Sequence, residues 1–473
     1  MIRTRFAPSP TGELHIGSAR TALFAYLFAK SKGGEFLLRI EDTDRARLVE
    51  GSVERIIESL DWLGISPDNR QNIAVQSERL SGYKSAVLTL LKANKAYLCD
   101  CSKERLEDLR KEQEAKKIPT GYDGHCRNIK RSIETIEELE ECLKKGMVVR
   151  MKMPEKGKII VKDLIRGQVE FDASLLDDQV ILKSDGYPTY HLASVVDDHD
   201  MKITHVIRAE EWLSSTPKHV VLYEMFGWKA PEFAHLSMIL GPDKKKLSKR
   251  HGATSVMQYK EDGYLPEALV NFIAFLGWNP KDEREEFTLE ELVKEFKIEN
   301  INRAPAVFDV AKLNSINSAY IKKVVSCQLS VVSTLLKQFG VEKITKGELE
   351  LLSRGGYSTL KEMVGAIFKL RKMADYDGQM LVFKKSTKQA TLKGLQNTVD
   401  SIQNTEDKDW HAQELQMKLG LVVERNSLTN GDVFWPVRVA LSGEEKSPSP
   451  VELLVALGKE ESLNRLRKAI RKL

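Results

Sequence analysis

At 473 residues, with 42% hydrophobic and 30% charged residues, the chain has the composition of ordinary globular domains, about three at roughly 150 residues each, which excludes a disordered, collagen-like or low-complexity protein. No run of about 18 apolar residues occurs, so no transmembrane helix or membrane association is expected, and residues 19–29, which carry Arg20 and follow Glu13 and His15, do not read as a signal peptide. Lysine and arginine (73) exceed aspartate and glutamate (68) by +5, a balance compatible with a nucleic-acid partner, while five cysteines argue against a disulfide framework and for a reducing, cytoplasmic setting.

Residues 3–7 read as a short strand, and Pro8, Pro10 and Gly12 force a loop after it. Ala19, Ala22, Leu23, Tyr26 and Leu27 then recur at helical spacing until Gly33-Gly34. Residues 35–40 form a second buried strand ending at Glu41, and residues 53–63 are again helical. This alternation predicts an α/β, doubly wound parallel sheet. Residues 81–189 break it with a charged helix over 103–117 and strand-like runs at 148–153, 158–162 and 179–182, and read as an inserted α+β domain. The α/β pattern returns with a strand at 205–208 and a helix at 216–226, and from about residue 287 onward the chain reads as helix. In the last helix, 462–473, Leu463, Leu466, Ile470 and Leu473 share one face, while Arg465, Arg467, Lys468, Arg471 and Lys472 fill a face read as solvated or as an RNA contact.

Two constellations carry chemistry. Pro8-Ser9-Pro10-Thr11-Gly12-Glu13-Leu14-His15-Ile16-Gly17-Ser18 joins a strand to a helix N-terminus, where unpaired N–H groups and the helix dipole favour phosphate and glycines admit close approach. It contains neither a Walker A loop nor a dinucleotide fingerprint. Lys244-Lys245-Lys246-Leu247-Ser248-Lys249-Arg250, bounded by Gly241-Pro242 and Gly252, reads either as a solvated lysine run or as a loop that closes over polyphosphate. A third cluster is Cys99-Asp100-Cys101 with Cys126, three thiols that either bind structural zinc, with Tyr122 or His125 as fourth ligand, or are ordinary thiols; Cys142 and Cys327 read as core. Asp197-Asp198-His199 invites a metal reading.

The first two constellations together resemble the paired signatures of class I aminoacyl-tRNA synthetases, with Ser18 in place of the second histidine of one and Lys246-Leu247-Ser248-Lys249-Arg250 as the other. Arg5-Phe6-Ala7-Pro8-Ser9-Pro10-Thr11-Gly12, Arg39-Ile40-Glu41-Asp42-Thr43-Asp44, Lys183-Ser184-Asp185-Gly186-Tyr187-Pro188-Thr189-Tyr190-His191 and Val206-Ile207-Arg208-Ala209-Glu210-Glu211-Trp212 narrow the likeness to bacterial-type glutamyl-tRNA synthetases, densely to about residue 320. The resemblance implies a glutamate–tRNA ligase using ATP with Mg²⁺ and acting on tRNA(Glu); a monomer is the default expectation, which no residue in the sequence decides. The glutamate α-carboxylate would attack the ATP α-phosphate, and the terminal ribose hydroxyl of tRNA would then attack the adenylate.

It further implies His15, Lys246 and Lys249 as catalytic groups, with Pro8, Ser9, Gly12, Gly17, Ser18, Glu211, Leu236 and Ser248 also binding ATP. Two carboxylates and an ammonium demand arginines and an anion. The implied glutamate pocket has Arg5 with Tyr187 on the side-chain carboxylate, Arg208 on the α-carboxylate, Glu41 on the amino group, and Ala7, Ser9, Ser194 and Trp212 around them. The resemblance also implies that Asp197-Asp198-His199 is part of the pocket floor, which outweighs its metal reading. In domain terms the implied organisation is a catalytic domain (1–80 and 190–235) split by an acceptor-stem insert (81–189), a connecting domain (236–320) and two helical anticodon-binding domains (321–378 and 379–473). Arg354 or Gly356 would face the third anticodon base, and glycine there leaves open whether tRNA(Gln) is charged as well. A glutaminyl enzyme, expected to end in β-barrels, a truncated paralogue acting on a modified tRNA base and an inactive RNA-binding relative are the alternatives.

Overall fold

The computed structural model describes residues 1–248, 255–327, 329–373 and 375–473, apart from the side chain of Cys327, and divides into two compact units, Met1–Glu261 with Pro266–Val310 and Asp262–Leu265 with Ala311–Leu473. In the first, strand β1 (Arg3–Phe6), helix α1 (Ile16–Ser31), strand β2 (Glu35–Ile40), helix α2 (Ser52–Trp62) and the short strand β3 (Ala74–Val75) build a parallel β1-β2-β3 sheet. Helix α1 buries Ile16, Leu23, Phe24 and Leu27 completely or nearly so, which is why an apolar stripe at helical spacing folds back against the strands.

The stretch between residues 81 and 189 does two things. Helix α3 (Leu80–Lys92), strand β4 (Ala96–Cys99), helices α4 (Lys103–Ala115) and α5 (Ile136–Lys144), and strands β5 (Val148–Met151) and β8 (Val180–Leu182) build an antiparallel β4-β5-β8 sheet with its surrounding helices, over an apolar cluster that the helices at 190–200 and 216–226 share. The hairpin of β6 (Lys158–Asp163) and β7 (Gly167–Asp172) leaves that sheet and joins another, where β6 runs parallel to β10 (Glu232–Leu236). Strand β6 alternates buried and exposed positions, so one face of the hairpin seeks a sheet, a pairing the strand-like run at 158–162 alone did not reveal.

Helix α6 (Tyr190–Asp200), strand β9 (His205–Ala209), helix α7 (Thr216–Phe226) and β10 complete the sheet β7-β6-β10-β9. The Thr204 N–H donates to the Arg3 carbonyl at 2.9 Å, which sets β9 beside β1 and joins the two sheets through these edge strands. The carboxyl ends of β1, β2 and β9 therefore meet at one place, as a doubly wound sheet requires of its ligand site.

Among the described residues the second unit contains helices and no strand. Its core centres on Leu381, Leu395, Leu415, Val433 and Leu454. Its last helix, Pro450–Lys472, leaves helical geometry at Gly458, whose φ of 74° suits glycine. Arg465 departs from the solvated face expected for it. It is buried, pairs with Glu461 at 2.7 Å, and donates to the carbonyls of Leu441 at 2.6 Å and Leu370 at 3.0 Å, at or near the C-terminal ends of helices Asn430–Ser442 and Leu360–Arg371. A cation there neutralises two negative helix ends. Cys142 is half-buried and packs against the apolar cluster of the β4-β5-β8 layer, whereas the side chain of Cys327 lies outside the described residues.

Candidate active site

A cleft of about 1010 Å³ opens over the carboxyl ends of β1, β2 and β9. Its roof is the loop after β1. The Pro8 carbonyl accepts from Glu41 N–H at 3.0 Å, and Gly12, at φ 139°, donates its N–H to Ser52 Oγ at 2.9 Å. A β-carbon is strained at that φ, so the loop needs glycine there. His15 is exposed at the N-cap of α1 in extended conformation, and the first turn carries no acidic residue, so the helix start presents unpaired N–H groups to the cleft. A β-carbon on Gly17 would meet nothing within 4 Å, so its smallness leaves room in the cleft rather than serving packing.

Arg5, Ala7, Pro8, Ser9, Gly12, His15, Gly17, Ser18, Glu41, Arg208, Glu211, Trp212, Lys246 and Ser248 all line this one cleft. Lys246 reaches Glu211 at 2.6 Å from a turn pinned by Gly241 N–H to the Lys245 carbonyl at 2.7 Å. Lys249, with Arg250 and Gly252, lies outside the described residues. Leu236 is buried at the end of β10 and does not line the cleft. Ser194 is fully buried behind it, with its hydroxyl unpaired among the described residues.

Tyr187 also lies outside the lining. It sits in a turn with its N–H on Asp185 at 3.0 Å and its ring beside Lys183. The tyrosine in the cleft is Tyr190, three residues later at the start of α6, which accepts from Arg208 at 2.8 Å and packs on Trp212 at 4.3 Å between ring centroids. The motif spelled two tyrosines close together, and only the helix start decides which faces inward.

Beneath the cleft is a charge network the sequence did not reveal. Arg39, fully buried near the carboxyl end of β2, donates to Asp198 at 2.6 Å and to Glu41 at 2.9 Å, with Asp197 at 3.6 Å. Arg5 Nε donates to Asp198 at 3.0 Å, which leaves its two terminal nitrogens to a ligand. Gln76, Arg79 and Tyr83 close on Asp197. Asp197 and Asp198 are thus counter-ions, and His199 points elsewhere, stacked on Trp228. Burial raises the Glu41 carboxyl, opposed by Arg39 and Arg5. Burial also opposes ionisation of Asp198, yet Arg5 and Arg39 bring its carboxyl below the usual range. An arginine inside the apolar run Phe36-Leu37-Leu38-Arg39-Ile40 was the available signal.

Arg208 differs from Arg39. It is buried, and among the described residues its partners are all neutral: His235 Nε2 at 3.0 Å, Tyr190 Oη at 2.8 Å, Thr216 Oγ1 at 2.9 Å, the Trp212 carbonyl at 3.4 Å and His219 Nδ1 at 3.4 Å. A buried cation without an anion is a site for one.

Away from the cleft, the sulfurs of Cys99, Cys101 and Cys126 lie within 4.8 Å of one another, and among the described residues they are the one such metal-ligand group of three or more. Tyr122 Oη stands 3.5 Å from Cys99 Sγ and 3.6 Å from Cys101 Sγ, and accepts the Cys126 N–H at 2.8 Å. His125 is exposed and outside the group, so of the two candidate fourth ligands the fold brings Tyr122. Three thiols and a phenol oxygen form a four-donor set suited to tetrahedral zinc.

In the second unit Arg354 caps helix Lys346–Ser353 and pairs with Glu350 at 3.0 Å and Glu452 at 2.6 Å. A β-carbon on Gly356 would meet nothing within 4 Å. A cavity of about 480 Å³ beside it is lined by Arg354, Gly355, Tyr357, Lys369 and Lys446 among others.

The chain matches the family described as "tRNA synthetases class I (E and Q), catalytic domain" over residues 1–315 and an "Anticodon binding domain" over residues 289–470. It is 44% identical over 481 residues to glutamate–tRNA ligase 2 of Thermoanaerobacter pseudethanolicus, covering 99% of this chain and 98% of the relative. It is 41% identical over 493 residues to the glutamate–tRNA ligase of Clostridioides difficile, covering 98% of each. The crystal structure of a glutamate tRNA ligase from Elizabethkingia meningosepticum superposes with a TM-score of 0.85 at 38% identity over 99% of both chains. Among the described residues no helix is long and apolar enough to cross a membrane.

Proposed function

The chain belongs to the class I tRNA synthetases of the glutamate and glutamine (E and Q) group, and we propose that it joins L-glutamate to the 3′ end of tRNA(Glu) through a glutamyl-adenylate. The observation that carries the glutamate reading is Arg208, buried with neutral acceptors only, in one cleft with Arg5 and Glu41. Two cations and an anion match two carboxylates and an ammonium. Relatives named glutamate–tRNA ligase at 41–44% identity over nearly the whole chain support the ligase activity. The second unit, without a strand among its described residues, speaks against a glutaminyl enzyme with β-barrels.

In this reading Arg208 and Tyr190 hold the α-carboxylate, Arg5 the side-chain carboxylate and Glu41 the amino group. ATP, carrying Mg²⁺, lies along the Pro8–Ser18 loop. His15 and the first N–H groups of α1 face the phosphates, and Lys246, with Lys249 from beyond the described residues, offsets charge developing as the glutamate carboxylate displaces pyrophosphate. The chemistry is positioning and electrostatics, with no covalent enzyme intermediate. Glutamate-dependent exchange of pyrophosphate into ATP, measured with tRNA present, is the expected signature of the adenylate; charging without any such exchange would refute the two-step route.

The thiol cluster with Tyr122 holds zinc as a structural ion in this reading. Metal analysis is expected to find about one zinc per chain, held by four donors and lost in Cys101→Ser. A fully active, metal-free preparation would refute the site.

The tRNA-reading loop supports relaxed specificity. Gly356 has no side chain to exclude a base, and Arg354 is occupied by two carboxylates, although exposed pairs of this kind hold weakly. Transcripts of tRNA(Glu) and tRNA(Gln) are expected to be charged with kcat/KM values within about tenfold of each other; discrimination beyond about 10²-fold, abolished by Arg354→Ala, would assign the reading to Arg354 instead.

A further inference from the structure

Arg208 belongs to a row of groups crossing three adjacent strands. It is the register partner of His235 across β9 and β10, and Asp163 ends β6 on the far side of β10. Arg208 Nε donates to His235 Nε2 at 3.0 Å, so that nitrogen carries a lone pair. The proton of the neutral ring is then on Nδ1, which donates to Asp163 Oδ2 at 2.6 Å. The other carboxylate oxygen, Oδ1, accepts the N–H groups of Ile165 at 2.9 Å and Arg166 at 2.8 Å, which fixes the carboxylate in the turn after β6. Asp163, His235 and Arg208 are all buried.

On a second side the guanidinium meets His219 Nδ1 at 3.4 Å, and His219 Nε2 meets His191 Nδ1 at 3.2 Å. Burial lowers His219 well below the usual histidine range, His191 to about 4, and His235 too, although its bond to Asp163 opposes the shift. The imidazoles around Arg208 are therefore neutral.

We propose that Asp163 and His235 are positioning residues that lock the Arg208 guanidinium by a hydrogen-bond relay while leaving its charge for the substrate carboxylate. A carboxylate bonded directly to Arg208 would orient it equally well and neutralise it. Interposing a neutral imidazole keeps the anion one ring away, so orientation and charge are supplied by different groups. Asp163 reaches this place on the β6–β7 hairpin, from the stretch that otherwise builds the β4-β5-β8 layer. The inference rests on the reading of Arg208 as the α-carboxylate ligand.

The discriminating variant is Asp163→Asn. Its carbonyl oxygen can still accept the N–H groups of Ile165 and Arg166, but its NH₂ faces His235 Nδ1 and drives the proton to Nε2, which takes the acceptor away from Arg208 Nε. The same tautomer logic operates in the serine protease triad. Charging kinetics would be measured for Asp163→Asn, His235→Leu, His235→Gln and Arg208→Lys, with thermal unfolding of each. Asp163→Asn and His235→Leu are expected to raise the glutamate KM about 10- to 100-fold, the worth of a hydrogen bond to a charged group. The ATP KM should move by less than about threefold and kcat at saturating glutamate should be nearly retained, the pattern of lost uniform binding. His235→Gln, whose amide offers both an acceptor and a donor, should recover most of the loss that His235→Leu causes. The double variant Asp163→Asn with Arg208→Lys should be no worse than Arg208→Lys, because the relay acts through Arg208. If one relay variant does not fold, the other carries the same comparison.

Glutamate and ATP constants rising together, or His235→Gln failing as His235→Leu does, would overturn the relay. If Arg208→Lys raises the glutamate KM while both relay variants leave it unchanged, the relay alone fails. If Arg208→Lys itself leaves it unchanged, the pocket reading fails and the relay with it.

Discussion

Arg5→Ala raises the KM for glutamate by about 30- to 4,000-fold, from the roughly 2–5 kcal/mol that truncating one partner of a buried charge pair costs and about 1.4 kcal/mol per tenfold. The effect is selective because the variant removes the cation facing the ligand without dismantling its support. Asp198 keeps Arg39 at 2.6 Å, so no carboxylate of the resting protein is stranded. The glutamate side-chain carboxylate, by contrast, loses its counter-ion on entering a cleft closed on one side by buried strands. The ATP KM should change far less, since in the proposed reading the phosphates lie along the Pro8–Ser18 loop. Steady-state charging at varied glutamate and varied ATP checks this, and equal losses for both substrates would make Arg5 a structural residue.

Arg39→Met has the largest expected cost in stability, about 3–5 kcal/mol, as for other buried ion pairs broken from one side. Arg39 is the shared counter-ion of Asp198, Glu41 and Asp197, all buried. Methionine fills part of the volume and leaves three carboxylates to Arg5, Arg79, Gln76 and Tyr83. The penalty depends on pH with a definite sign. The Asp198 carboxyl is held below its ordinary value when folded, so the stabilisation it supplies is present above the unfolded value of about 3.9 and is lost as pH falls through the lower folded value. The gap between wild type and Arg39→Met should therefore be full near neutrality and narrow in acid below about pH 4. Denaturant unfolding at several pH values checks it; a cost under about 1 kcal/mol at neutral pH would mean that the network contributes no more than a surface pair.

Much of this architecture was legible because periodicity and punctuation are local. The helix expected over 216–226 is Thr216–Phe226 in the structure, and the one expected over 103–117 is Lys103–Ala115. What escaped was non-local. That β6 pairs with β10 depends on a contact between distant strands, and its alternating pattern is equally compatible with the neighbouring layer. Tyr187 and Tyr190 differ only in which of them the start of α6 turns inward. Arg465 carries the same charge as Arg467, but helix ends from elsewhere in the chain converge on it alone. The first-noticed residues of the cleft, Arg5, His15, Glu41 and Arg208, announced themselves by chemistry. Their supports, Arg39, Asp198, His235 and Asp163, are ordinary residue types whose meaning appears only when strands are laid side by side.

The account stands or falls on which amino acid is attached to tRNA. Purified protein incubated with ATP, Mg²⁺, tRNA(Glu) and labelled L-glutamate, with labelled L-glutamine in a parallel reaction, gives the answer directly. Two arginines for two carboxylates predict acid-precipitable, base-labile label from glutamate and none above background from glutamine, which lacks the second carboxylate that Arg5 awaits. Charging with glutamine at a comparable rate, or no charging with glutamate, would contradict it.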